Sequence, residues 1–216
     1  YNVVVIREIC PQPNAVSLCD TCRENNVGFI YASALGFSGF TFLDFGDKYM
    51  IKDTNGEREH KFVPISHRLY RPYDGDEIPD QTDPSKKGRN ELLHCGFNAV
   101  NKFFKKGYSY PKLNNEKEVN EVIAEAKKLY DKFKTNVDQM PWIQNAAEFD
   151  ENGIRNIARF AGSSITPVST SFLGAVIAQE IVKFTGKFNP NDQWKWFDLF
   201  DVLENLPENV NRNLPG

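Results

Sequence analysis

A chain of 216 residues has room for one or two domains, and at 40% hydrophobic and 13% aromatic it carries material for a real core. Lys plus Arg number 26 against 29 Asp plus Glu, a net charge of −3, which gives no global electrostatic footprint for nucleic acid or an anionic membrane. No apolar run approaches the roughly 20 residues that span a bilayer, and no signal peptide is visible.

Val3-Val4-Val5-Ile6 is a β-branched run that reads as a buried parallel strand. It follows Tyr1 at once, so the chain reads as cut from something longer, and the polar, Pro-containing stretch 205–216 reads the same way. Pro11 and Pro13 punctuate the exit from the strand. Residues 15–25 read as a helix with Val16, Cys19 and Cys22 on one face, and Phe29-Ile30-Tyr31-Ala32 as a second strand. Strand, helix and strand make one βαβ unit with a right-handed crossover.

Cys19 and Cys22 form a single C-x-x-C. Zinc would need two further ligands, and the nearest candidates, Cys10, His60 and His67, form no second pair. Both cysteines lie mid-helix, which does not suit a thioredoxin-like site. All four cysteines, Cys95 included, therefore read as reduced structural thiols, with metal binding and redox chemistry as weaker alternatives.

Gly36, Gly39 and Gly46 bracket the aromatic run Phe40-Thr41-Phe42-Leu43-Asp44-Phe45, read as a strand. Asp53-Thr54-Asn55-Gly56 is a turn signal that could join Tyr49-Met50-Ile51 to Lys61-Phe62-Val63 as a loose hairpin. Residues 71–90, with Pro72, Pro79 and Pro84 and the acids Asp74, Asp76, Glu77, Asp80 and Asp83, read as a surface linker too polar to offset its ordering entropy.

Helices follow. Residues 90–105 carry Leu92, Leu93, Gly96, Ala99, Val100, Phe103 and Phe104 at helical spacing, and Gly107 stops them. Residues 115–134 place Val119, Val122, Ile123, Ala126, Tyr130 and Phe133 on one stripe. Pro141-Trp142-Ile143 starts a short turn or helix, and 151–161 carries Ile154, Ile157, Ala158 and Phe160. Three or four helices on a common core make a small antiparallel bundle. Thr166-Pro167 is an N-cap with proline at the first helical position. The helix it opens, 167–184, is apolar nearly all round, as expected for a helix buried on several sides or half of an interface. Gly186 caps it, and Gln193-Trp194-Lys195-Trp196-Phe197-Asp198 is a closing strand.

The usual chemistry is missing. There is no G-x-G-x-x-G, no G-x-x-x-x-G-K-[ST] and no G-x-S-x-G. His60, His67 and His94 are scattered, and His94 reads as an ordinary helical histidine. Asp198 reads as a loop cap before it reads as a ligand group. No catalytic, cofactor-binding or metal residue is assigned.

Two segments nevertheless look familiar. Residues 163–207 contain Ala178-Gln179-Glu180-Ile181-Val182-Lys183, Gly186-Lys187-Phe188-Asn189-Pro190 and Gln193-Trp194-Lys195-Trp196-Phe197-Asp198 in order. Residues 27–57 contain Gly36-Phe37-Ser38-Gly39, Asp44-Phe45-Gly46-Asp47 and Asp53-Thr54-Asn55-Gly56-Glu57, and Leu92-Leu93-His94-Cys95-Gly96-Phe97-Asn98-Ala99 follows. This series resembles the first, catalytically silent adenylation half of ubiquitin-activating enzymes and their four-helix bundle. One departure is Phe172-Leu173-Gly174-Ala175, with one glycine where the family usually has two. Another is the short stretch where the family carries its first catalytic-cysteine half-domain.

The resemblance implies an α/β fold: a partial Rossmann-like (ThiF/MoeB-type) adenylation fold with an inserted small helical bundle. Residues 1–70 and 163–216 would form the silent half, 71–88 a linker in place of the half-domain, and 89–162 the bundle. It implies an ATP-dependent ligase in the cytoplasm and nucleus, using ATP and Mg, acting on ubiquitin and serving ubiquitin-conjugating enzymes, with no nucleic acid or membrane partner. None of Cys10, Cys19, Cys22 or Cys95 stands in the family's catalytic-cysteine motif. This piece would be an inactive scaffold that meets the catalytic adenylation half of the same protein through Phe172, Leu173, Val176, Gln179 and Glu180. Alternatives are the small subunit of a SUMO-type activating enzyme and a non-enzymatic Rossmann-like binding module.

Overall fold

The computed structural model describes residues 2–54, 56–69, 89–135, 148–162, 167–191 and 193–199. Residues 71–88 of the expected linker, Pro141-Trp142-Ile143 and the stretch 205–216 lie outside them, and residues 89 and 90 of that linker are helical. The elements run β1 (Val3–Ile6), α1 (Gln12–Glu24), β2 (Gly28–Leu35), β3 (Ser38–Asp44), β4 (Tyr49–Asp53), β5 (Gly56–His60), α2 (Ile65–Arg68), α3 (Arg89–Gly107), α4 (Glu116–Thr135), α5 (Glu151–Phe160), α6 (Pro167–Gly186) and β6 (Trp194–Asp198). The main sheet has the order β1-β2-β3-β6. β1 is parallel to β2, whereas β2–β3 and β3–β6 are antiparallel, so the sheet is mixed.

The βαβ unit forms as the sequence suggests, with two changes. Among the described residues β1 pairs only with β2 and is an edge strand, partly buried rather than sealed on both sides. α1 starts at Gln12, ahead of the expected residue 15, because Pro13 sits in the first turn, where no backbone N–H is needed. The loose hairpin also tightens: β4 pairs with Gly56–His60, not with 61–63. Gly56, at φ +113°, turns the chain within the left-handed region that favours glycine. β5 is almost entirely polar and exposed, so no apolar alternation marks it.

β2 and β3 are buried along their whole length and feed two different cores from alternate residues. On one face Phe29, Tyr31, Leu35, Phe40 and Phe42 join Trp194 and Trp196 of β6, the buried side of α1 and the helical bundle in one cluster. On the other face Ile30, Leu43 and Phe45 pack with Tyr49, Ile51 and Phe62, and Ala32 and Ala34 meet Leu173 of α6. The molecule is thus layered as bundle and α1, sheet, then α6 and the hairpin.

All six apolar residues predicted on the stripe of α4 are buried. α5 begins at Asp150, whose Oδ1 accepts the Gly153 amide at 2.9 Å, an N-cap contributing about 1 kcal/mol. Gly96 lets α5 approach α3, since a Cβ there would stand 3.0 Å from both Ile154 and Ile157. The bundle joins the sheet through aromatic rings, Phe97 lying 4.1 Å from Phe40 and 5.7 Å from Trp194 between centroids. It also joins through a buried polar seam on α3. His94 Nε2 lies 2.8 Å from the Leu69 carbonyl, Asn98 accepts from Gln12 at 2.6 Å, and Asn101 donates to the Cys10 carbonyl at 2.7 Å. These residues are four and three apart, so they line one face of the helix and fix its register on the sheet.

Candidate interface on the last long helix

α6 faces inward through Ser169, Leu173, Ile177, Glu180, Ile181 and Phe184, spaced three and four apart. Ser169 Oγ donates to the Gly36 carbonyl at 2.7 Å, tying the helix start to the β2–β3 turn. The outward side carries Phe172, Gly174, Ala175, Ala178, Gln179 and Val182 exposed, with Val176 half-buried at its margin. Phe172 is 48% exposed and Val182 59% exposed, two large apolar side chains open to solvent on one helix. The Phe172 ring leans on Phe197 at 5.1 Å. From Pro167 to Gln179 the helix holds no charged residue. A Cβ on Gly174 would meet nothing within 4 Å, although glycine inside a helix costs about 1 kcal/mol relative to alanine.

The five expected interface residues divide. Phe172, Val176 and Gln179 are on the outward side or its margin. Leu173, 5% exposed, packs on the sheet instead. Glu180 is fully buried within the chain, because its carboxylate accepts from Lys183 Nζ at 2.6 Å and from the Asn191 amide at 3.0 Å. Val182 and Gly174 were missed. Val182 carries the signal, seven residues beyond Ala175 and four beyond Ala178, and so on the stripe of those exposed alanines.

The polar residues of the familiar motifs form the clasp that fixes the end of α6. The Tyr49 hydroxyl lies 2.8 Å from the Lys183 carbonyl and 2.9 Å from the Phe188 carbonyl. Burial, with the nearby Glu180 charge, pushes Tyr49 up to about 12. The Lys52 amide donates to the Lys187 carbonyl at 2.7 Å. Gln193 serves four groups: Oε1 accepts from the Val63 amide and Arg68, and Nε2 donates to the Leu43 and Val63 carbonyls. Glu180→Ala is expected to lower stability by about 2–3 kcal/mol by leaving the Asn191 amide without its acceptor and Lys183, which also donates to Asn191 Oδ1 at 3.2 Å, without its counter-charge. Gln179→Ala, one residue away but outward, should stay within about 0.5 kcal/mol. Paired urea melts check both values.

The other singled-out residues have structural surroundings. Asp198 accepts from Ser38 Oγ at 3.1 Å. Cys19 and Cys22 are buried, and Cys19 Sγ donates to Asp44 at 3.2 Å. Desolvation raises the pKa of all four thiols above the usual range, away from the thiolate that nucleophilic chemistry needs. A cleft of about 510 Å³ lies between Arg23, Asp47, Lys48, Tyr49, Phe184 and Lys187. It is met by the C-terminal ends of α1 and α6, whose negative dipole ends oppose a phosphate. No group of three or more potential metal-ligating side chains gathers among the described residues, and no described helix is long and apolar enough to cross a membrane.

A mixed α/β chain with a helical bundle set on one sheet face defines the class, and comparison with known proteins narrows it. Residues 58–130, running from within β5 through α2 and α3 to most of α4, match the model of the ubiquitin-activating enzyme E1 four-helix bundle. "Ubiquitin-like modifier-activating enzyme 1" from Oryctolagus cuniculus is 36% identical over 128 residues, 59% of this chain and 11% of the relative. The Homo sapiens protein of that name is 35% identical over 128 residues, with the same coverage. The Dictyostelium discoideum one is 25% identical over 295 residues, 96% of this chain and 27% of the relative. The chain is therefore homologous to ubiquitin-activating enzymes, including their four-helix bundle, and it spans about a tenth to a quarter of these relatives' lengths. The Dictyostelium alignment is longer than the 216 residues of this chain, so that relative contains residues with no counterpart here.

Proposed function

We propose that the chain is the scaffold of a ubiquitin-activating enzyme: part of a silent, Rossmann-like adenylation half whose α6 packs on a catalytic adenylation half. The observation that carries this reading is the outward face of α6, uncharged, open at Gly174 and flanked by exposed Phe172 and Val182. Such a face loses free energy to water and suits a second helix at short distance. The intact enzyme would use ATP and Mg to adenylate the ubiquitin C-terminus and would then form a thioester, passing ubiquitin to conjugating enzymes in the cytoplasm and nucleus. The residues described here would contribute rigidity and docking. By themselves they would not support ubiquitin-dependent exchange of pyrophosphate into ATP.

The test uses this chain and the catalytic half as two proteins. Gly174→Leu should keep or raise the chain's own melting point, because nothing among the described residues occupies that space and leucine is the better helix former. It should weaken association, read by calorimetry, at least tenfold. Equal affinity for Gly174→Leu and the parent would remove the proposed interface. A second reading, the small subunit of a two-chain activating enzyme, is favoured by the extra residues in the Dictyostelium alignment. Association with a separately encoded large subunit, with none to a ubiquitin-type catalytic half, would establish that reading instead.

A further inference from the structure

The joint between α3 and the sheet has a property that packing alone does not require. His94 is fully buried there, its Nε2 committed to the Leu69 carbonyl at 2.8 Å. Among the described residues its Nδ1 has no hydrogen-bond partner. The ring is boxed by aromatic side chains from two elements: Trp194 and Trp196 of β6 at 5.1 and 5.4 Å, both near perpendicular, and Phe133 of α4 at 6.4 Å. With Nε2–H donating to Leu69, Nδ1 must be the bare nitrogen of a neutral imidazole. A proton added at Nδ1 would place an N–H and a full charge against indole and phenyl rings, with no acceptor bonded to it among the described residues.

Charged and titratable groups on the packed elements do not relieve this. α2 brings Arg68, of the same sign as a protonated imidazole. α3 itself brings Glu91 and Cys95, α4 brings Tyr130, and β6 brings only Lys195, which is exposed on the alternate side of the strand, and Asp198, held by Ser38 at the strand end. Desolvation holds His94 down to about 4, opposed in part by the Leu69 contact, with no charge–charge contribution among the causes.

We propose that the α3-to-sheet joint is an acid-sensitive latch: protonating His94 frees α3 from β6 and the end of α2, while the sheet and the bundle each keep their helices and strands. The sign follows from the two states. Folded His94 resists a proton down to about 4, whereas a released imidazole takes one near 6.5. The closed joint is therefore at full strength above pH 6.5 and weakens progressively as pH falls from 6.5 towards 4.

The experiment is an NMR titration of the full chain from pH 7.5 to 4, following the indole N–H resonances of Trp194 and Trp196 and the imidazole of His94, with far-UV circular dichroism alongside. Expected are indole shifts between pH 6.5 and 4 that share a midpoint with His94, at unchanged helix content, and His94→Gln indoles that stay in place. Indoles that do not move, that move only with loss of helix, or that move at the same pH in His94→Gln would each overturn the latch. Should His94→Gln fail to fold, the wild-type comparison decides: an imidazole midpoint that differs from the indole midpoint overturns it equally.

Discussion

Gly36→Ala is expected to destabilise the chain by about 3 kcal/mol or more. Gly36 sits at φ +66° in the turn between β2 and β3, where an L side chain costs roughly 1–2 kcal/mol. A Cβ there would also fall on the Phe160 side chain and stand 2.8 Å from the Phe160 carbonyl oxygen. Backbone at the end of α5 cannot yield as a flexible side chain would, so overpacking adds about 1–3 kcal/mol. The turn has a further task, since its Gly36 carbonyl accepts the Ser169 hydroxyl of α6. Urea unfolding should show the midpoint falling with little change in slope. A midpoint shift worth under about 0.5 kcal/mol would show that the bundle does not press on the turn.

The second large effect is expected from Asp44→Ala, at about 3–5 kcal/mol. Asp44 is 1% exposed and accepts from Arg23 at 2.5 and 2.7 Å, from Cys19 at 3.2 Å and from the Gly46 amide at 3.0 Å. Removing it strands a guanidinium that is 13% exposed and already shared with Asp47 and the Phe62 carbonyl. The same variant should expose chemistry that is now suppressed. Burial and the Asp44 charge together hold the Cys19 thiol protonated, so maleimide labelling of Cys19 should be slow in the parent and faster in Asp44→Ala. Asp44→Asn keeps the volume but halves the acceptor capacity, and should fall between the two. Unchanged stability in Asp44→Ala would mean that Asp47 alone suffices for Arg23.

Local pattern was readable where one face of an element decides its burial. α4 declared itself through six apolar residues on a single stripe, and β1 through its β-branched run. α6 announced a buried or docking helix by its composition, but the side each residue takes came from the sheet. Leu173 and Phe172 are equally apolar neighbours, and only contact with Ala32 and Ala34 sends Leu173 inward. Glu180 was misplaced for a related reason. Its partners, Lys183 and the Asn191 amide, approach because the chain doubles back after Gly186 through Lys187 in the left-handed region. β5 could not be read at all from periodicity, being polar throughout, and its pairing follows from the turn at Gly56. The polar seam on α3 was likewise silent, because Asn98 and Asn101 in a helix look solvent-facing until Gln12 and the Cys10 carbonyl arrive from distant sequence.

The β4–β5 hairpin ends with Asp53 opposite Gly56, its outer residues Thr54, Gly56 and Glu57 in water. Tyr49 and Phe62 anchor its base, and nearer the tip the Lys52 amide donates to the Lys187 carbonyl and Arg58 donates to Asn189. Two strand ends that already sit side by side need almost no loop-closure entropy to accept a guest between them, and each doubling of the guest's length adds only about 0.6 kcal/mol. The hairpin is thus a ready socket: a folded module could be spliced in at its tip, beyond the Lys52 amide, with the base at Tyr49 and Phe62 left in place.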